Sequence, residues 1–201
     1  MRSGLLIVLL SSLLLAGCSS NPDKPGKSGR KDKEKDGPPL VVPKGLADLP
    51  DPVVRHERPT KRGNPKSYTV FGKTYYVMNS AAGYDAVGNA SWYGRKFHGR
   101  LTSSGEPFDM YELTAAHRTL PIPTYARVTN LENGRSTVVR INDRGPFHDN
   151  RIIDLSYAAA VKLGYAALGT APVRVEVLAP GKKFVLQAGA FSQLDRADNL
   201  K

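Results

Sequence analysis

The chain has 201 residues and a net charge of +11, long enough for one domain of ordinary size plus extensions. The charge is uneven: residues 19–80 hold 13 basic and 7 acidic residues, whereas residues 81–180 hold 11 and 9. A folded part so nearly balanced excludes a nucleic-acid-reading domain, which would carry a basic patch on its own surface. A single cysteine, Cys18, excludes an intrachain disulfide and a thiolate metal cluster.

Arg2 precedes an apolar run, Leu5 to Ala16, that ends in Gly17-Cys18. Twelve helical residues span about 18 Å, short of a hydrocarbon core of roughly 30 Å. A basic start, a short apolar core and small residues at its end make residues 1–17 a secretory signal peptide. Leu15-Ala16-Gly17-Cys18 resembles the lipobox of bacterial lipoproteins, in which the cysteine is lipidated and becomes the new first residue. Ser19 follows rather than Asp, so this resemblance implies an outer-membrane anchor on Cys18 with the protein facing the periplasm. Each buried acyl methylene would contribute about 0.8 kcal/mol to that anchor.

Residues 18–66 are Pro-, Gly- and Lys-rich with little apolar periodicity, the composition of a disordered tether. Such a coil spans about 35–40 Å, enough to carry a lipid-anchored domain towards the cell-wall layer. Residues 67–83 open with a hairpin signal, Tyr68–Phe71 and Thr74–Met78 around Gly72-Lys73. Short β-rich runs follow at Ala90–Tyr93, Ala126–Asn130, Ser136–Asn142, Ile152–Leu155 and Val173–Leu178, with Asn133-Gly134 marking a hairpin between two of them. One helix is predicted, with Ser156 as N-cap, Ala158 to Leu163 as its body and Gly164 as its stop. Residues 84–180 therefore read as one mainly β domain with minor helix, a closed barrel rather than a sandwich. A further strand at Phe184–Ala188 and a helical run to Lys201 are too little for a core of their own.

The run Val138 to Arg144 ends a strand in a carboxylate, and Gly145-Pro146 turns the chain immediately after it. Period-2 alternation puts Asp143 in one row with Val139 and Ile141, and turns Arg140, Asn142 and Arg144 away from it. Glu106 and His117 lie within forty positions of Asp143. Two carboxylates and an imidazole suit acid–base cleavage of a glycosidic bond, in which one acid protonates the leaving oxygen. Each residue also has a plainer role: turn residue for Glu106, hydrogen-bonder for His117, turn cap for Asp143. Ser103 or Ser104 with His117 and Asp143 lacks a nucleophile-elbow motif, and His98, His117 and His148 match no familiar metal spacing. No metal and no cofactor is expected. Aromatic residues interleave the acids, and their faces can stack on sugars; Trp92-Tyr93 is the expected platform.

Several long motifs stand in order: Ala90 to Gly94, Phe97 to Arg100, Thr102 to Phe108, Leu113 to Pro121, Val139 to Phe147 and Arg151 to Ser156. Over residues 84–179 they resemble the rare lipoprotein A family. That resemblance implies a six-stranded double-psi β-barrel, related in fold to expansins, and septal lytic transglycosylase activity on peptidoglycan glycan strands lacking stem peptides. It implies Glu106, His117 and Asp143 as acid-site residues. In the cleavage expected of them, Asp143 protonates the β-1,4 oxygen, Glu106 stabilises the cation or shares the acid–base role, and His117 orients a carboxylate, with the roles of Asp143 and Glu106 open to exchange. The expected substrate-binding set is Trp92, Tyr93, Thr102, Arg144 and Phe147. Phe184 to Phe191 resembles the opening of a SPOR domain, a binder of denuded glycan at division sites, so residues 181–201 are its expected truncated start and division-ring proteins are expected partners. The rival expectations are an expansin-like module that binds glycan without cutting it, and an envelope scaffold acting through protein partners.

Overall fold

The computed structural model describes residues 36–180. The signal peptide, the lipobox with Cys18 and the SPOR-like start at 181–201 lie outside the described residues.

A hairpin leads: β1 (Ser67–Val70) pairs with β2 (Lys73–Tyr76) in antiparallel register, Val70 opposite Lys73. Its turn residues are therefore Phe71-Gly72, one position earlier than the expected Gly72-Lys73. Six strands follow: β3 (Asp85–Tyr93), β4 (Thr114–His117), β5 (Thr124–Asn130), β6 (Ser136–Asp143), β7 (Arg151–Ser156) and β8 (Thr170–Val177). They close in the order β3-β7-β4-β6-β5-β8, with β8 returning to β3. Two pairings are parallel, β3 with β7 and β4 with β6, and the rest are antiparallel. This is the six-stranded double-psi β-barrel that the motifs imply.

The interior is filled by alternate residues. Val139 and Ile141 of β6, Ile153 and Leu155 of β7, and Val173 and Val175 of β8 are wholly buried, each such side chain contributing about 1.5–3 kcal/mol. Ala90, Ala115 and Ala126 are wholly buried as well. The helix α1 (Tyr157–Lys162) packs directly after β7; the Ser156 hydroxyl accepts from the Ala159 N–H, and Gly164 follows with φ 79°. The predicted helix is present within a residue.

Two expectations differ. Thr114–His117 carries no β-branched run and was not predicted as a strand; all four residues are buried, and pairing to β6 and β7 makes them one. Residues 36–66 contain only a 3-10 turn, Leu46–Asp48, yet they are fixed to the barrel rather than free. The Asp36 carboxylate accepts from the Gly94 and Lys96 N–H groups, Glu57 pairs with Arg140, and Asn64 bonds Ile122 and Arg144. These polar anchors act beside the buried Leu46 and the partly buried Leu49, too few apolar residues for hydrophobic periodicity to reveal the segment.

Candidate active site

An extra residue decides where Asp143 points. The β4–β6 register runs Ala115 to Ile141 and then Ala116 to Asp143, so Asn142 bulges. The bulge breaks the period-2 row: Asp143 does not continue the interior row of Val139 and Ile141 but comes beside Ala116, half-buried at the barrel's surface. On its other side Ala116 is in register with Asp154 of β7, and Asp154 is in register with Ser91 of β3. Ser91, Asp154, Ala116 and Asp143 thus form a row across four strands. Two strand spacings separate the two acids, about 10 Å between Cα atoms. Both line one cavity of about 440 Å³, together with Phe71, Trp92, Phe97 and Phe147.

The two carboxyl groups differ in their surroundings. Asp143 Oδ1 accepts from the Ser103 N–H at 2.8 Å, the Ser103 hydroxyl at 2.7 Å and the Arg144 N–H at 2.7 Å. Three donors on one oxygen fix the group in the wall of the cavity. Asp154 stands between Ile153 and Leu155, whose burial turns it to the opposite side of β7. Burial pushes its carboxyl above the usual range, against the lowering effects of the Ser91 hydroxyl bond at 2.5 Å and of the Arg151 charge. Ser91 also accepts from Arg151 Nη1, so the serine ties both side chains in place. Gly145, with φ 135°, turns the chain beside this pair: a Cβ there would lie 3.9 Å from Asp154 Oδ2, and no other residue adopts that φ easily.

Of the three acid-site residues implied by the motifs, only Asp143 faces the cavity. Glu106 is held by Arg140 Nη1 at 2.7 Å, Arg140 Nη2 at 3.0 Å and Asn142 Nδ2 at 3.0 Å. The Arg140 bonds hold its carboxyl below the usual range, which favours its anionic form. Its connection to Asp143 is indirect. The loop 102–106 crosses the end of β6, placing Ser103 on Asp143, the Ser104 N–H on the Asn142 carbonyl and Glu106 on Arg140 and Asn142. Glu106 clamps the loop that holds Asp143.

His117 orients no carboxylate. It follows Ala116 and so faces away from the cavity, where its Nδ1 accepts from the Thr119 and Leu120 N–H groups and its Nε2 meets the Tyr84 hydroxyl at 2.9 Å. Burial, with the Arg144 and Arg118 charges, lowers its pKa to about 3, which keeps the ring neutral. Its carbonyl, not its imidazole, serves the site by accepting from Arg144.

The expected substrate-binding residues divide. Arg144 is a framework residue: its guanidinium donates to the Gly63, His117 and Leu120 carbonyls and to Asn64. Its guanidinium makes no hydrogen bond to Asp143, as expected, although the bulge has already broken the alternation; its backbone N–H binds Asp143, and the residue lines part of the cavity. Arg140 also points away, to Glu57 and Glu106. Thr102 is buried and bonded to Ser104. Tyr93 is stacked on Phe108 with 4.0 Å between centroids, so its face is covered; Trp92 packs edge-on against Tyr157 and donates to the Ala166 carbonyl. Phe147 joins the cavity to the hairpin through Tyr68 and Tyr75. The residue that sequence reasoning missed is Asp154. It stood inside a recognised motif, flanked by two apolar residues, but no local signal said that β4 would bring it beside Asp143.

Residues 85–175 match the family described as lytic transglycolase. The chain is similar to the endolytic peptidoglycan transglycosylase RlpA of Vibrio cholerae, 53% identical over 176 residues that cover 88% of this chain and 64% of the relative. It is 52% identical to that of Pseudomonas aeruginosa over 85% of this chain and 52% of the relative. The chain thus spans about half to two thirds of the length of these curated relatives. Among solved structures, a papain inhibitor of Streptomyces is 23% identical over 50% of this chain and 100% of its own, with a TM-score of 0.42. An expansin of Clavibacter michiganensis is 17% identical over 49% of this chain and 52% of its own, with a TM-score of 0.38. With the ordered motifs, the closed barrel and half of the aligned residues identical, the chain belongs to the rare lipoprotein A family.

Proposed function

We propose that the chain is an endolytic peptidoglycan lytic transglycosylase. It cleaves the β-1,4 bond between N-acetylmuramoyl and N-acetylglucosaminyl residues of glycan strands lacking stem peptides and leaves 1,6-anhydro-muramoyl ends. The observation that carries the reading is the Asp154–Ala116–Asp143 row in the wall of one cavity.

The expectation from sequence gives the proton to Asp143; burial makes Asp154 the better donor. Asp154 protonates the glycosidic oxygen as the C1–O4 bond breaks. The muramoyl C6 hydroxyl then attacks C1, and its proton returns to Asp154, so no water enters the product and the enzyme is unchanged. Asp143, held by Ser103 and the Arg144 N–H, faces the cationic transition state. Glu106 and His117 act through the framework.

The cellular reading rests on the sequence alone: a palmitoylated lipoprotein anchored through Cys18 to the outer membrane, facing the periplasm, with a SPOR-like start that directs it to denuded glycan at division sites. Its work there is wall remodelling and daughter-cell separation with division-ring proteins. Labelled palmitate incorporation, lost in Cys18→Ala, tests the anchor.

Mass spectrometry of naked glycan strands incubated with the chain tests the chemistry. Anhydro-ended fragments are expected, and their loss in Asp154→Asn and Asp143→Asn. Glycan that sediments with the chain but yields no such fragments would instead support the binding module, and fragments persisting in both variants would sink the assignment of the row.

A further inference from the structure

The hairpin turn carries an aromatic residue where neither the turn nor the core has use for one. Phe71 and Gly72 are the two loop residues between Val70 and Lys73, and both have positive φ, 49° and 77°. A two-residue loop of that kind strongly prefers Asn-Gly, and a bulky residue at positive φ is an outlier held at an energetic cost. Core burial does not offset the cost, because Phe71 is 91% exposed. Strain retained without a folding gain points to function.

The tip is also held in one place. Tyr68 donates to the Arg118 carbonyl at 2.7 Å and stacks on Tyr75, Tyr75 meets Phe147 at 5.7 Å, and Lys73 pairs with Asp149 at 2.5 Å. These contacts dock the hairpin on the loop that follows Asp143 and set Phe71 in the wall of the cavity that holds Asp143 and Asp154. The hairpin precedes residues 85–175, the barrel that the family model matches.

We propose that Phe71 is a substrate-binding residue whose ring stacks on a pyranose of the glycan strand as the strand crosses the Asp154–Asp143 row. This rests on the activity proposed above and adds a gripping point to it. An exposed ring on a docked turn loses little freedom on binding, and its face suits the apolar face of a sugar.

The test uses the full chain, glycan strands freed of stem peptides, and the variants Phe71→Asn and Phe71→Trp. Asn suits the turn, so Phe71→Asn should raise the unfolding midpoint by a few degrees. It should also raise KM about five- to tenfold with kcat within about twofold, as loss of one aromatic contact requires. Phe71→Trp should restore KM. An unchanged KM in Phe71→Asn, or a lower unfolding midpoint, overturns the proposal: the first means no substrate contact, the second a structural ring. If the wild type releases no anhydro-ended fragments, the proposed activity fails by itself. Co-sedimentation of glycan with wild type and Phe71→Asn then decides the stacking contact separately, with equal binding, or none in either, overturning it.

Discussion

Replacing His117 by Asn should flatten the pH dependence of stability between pH 7 and pH 5. In the folded chain the imidazole is 4% exposed, accepts two backbone N–H bonds at Nδ1 and meets Tyr84 at Nε2. Burial and then the Arg144 and Arg118 charges take its pKa down to about 3, whereas an unfolded histidine titrates near 6.5. Between those values the unfolded chain binds a proton that the folded chain refuses. The contribution is therefore complete above pH 6.5 and is lost as pH falls towards 3, by at most about 1.4 kcal/mol per pH unit. Integrated from pH 7 to pH 5 the loss is about 2 kcal/mol. Asn keeps an acceptor for the Thr119 and Leu120 N–H groups but does not titrate. Urea unfolding of both proteins at the two pH values reads the difference directly, since every other titrating group is common to both. The wild type should lose about 2 kcal/mol more than the variant on going to pH 5. Equal losses would refute a neutral, framework His117 and return it to the acid–base chemistry.

Ser91→Ala removes the hydroxyl that bonds Asp154 at 2.5 Å and lowers its pKa. The carboxyl should then stay protonated to higher pH, moving the alkaline limb of kcat/KM upward; a downward shift would remove Asp154 from the donor role. Glu57→Gln breaks an ion pair of 2.8 Å with Arg140 that lowers the Glu57 pKa to about 2. It should cost about 1–2 kcal/mol at neutral pH. Because that pKa is lowered, the difference from wild type should shrink as pH falls from 4.5 towards 2, which acid unfolding curves will show. Gly63→Ala places a Cβ at φ 79° against Ile122 and 2.8 Å from the Ser103 carbonyl. It should cost about 1–3 kcal/mol and lower kcat by displacing the residue that holds Asp143; a destabilised variant with unchanged kcat would show that Ser103 does not position the acid.

Much of this protein is written locally. Ser156 and Gly164 bound the helix because a hydroxyl satisfies a free N–H and a glycine accepts positive φ, both short-range effects. Asn133-Gly134 marks the β5–β6 connection for the same kind of reason. The apolar alternation of Val173–Val177, and the spacing of Val139 and Ile141, name rows that fill the barrel, since burial depends on which face each residue occupies. The ordered motifs identify the family and place Asp143 at the site.

Tertiary pairing decided the rest. Thr114–His117 becomes a strand only because β6 and β7 supply its partners on both sides. The bulge at Asn142 takes Asp143 out of its apolar row, and no residue near it signals an extra position. Arg144 looks like a ligand for a sugar until four of its donors are found on carbonyls and an amide far away in the chain. Asp154 becomes the second acid for one reason: Ala116, thirty-eight residues earlier, lies between it and Asp143. A composition or a period describes one segment at a time, whereas an active site is made by the register between segments.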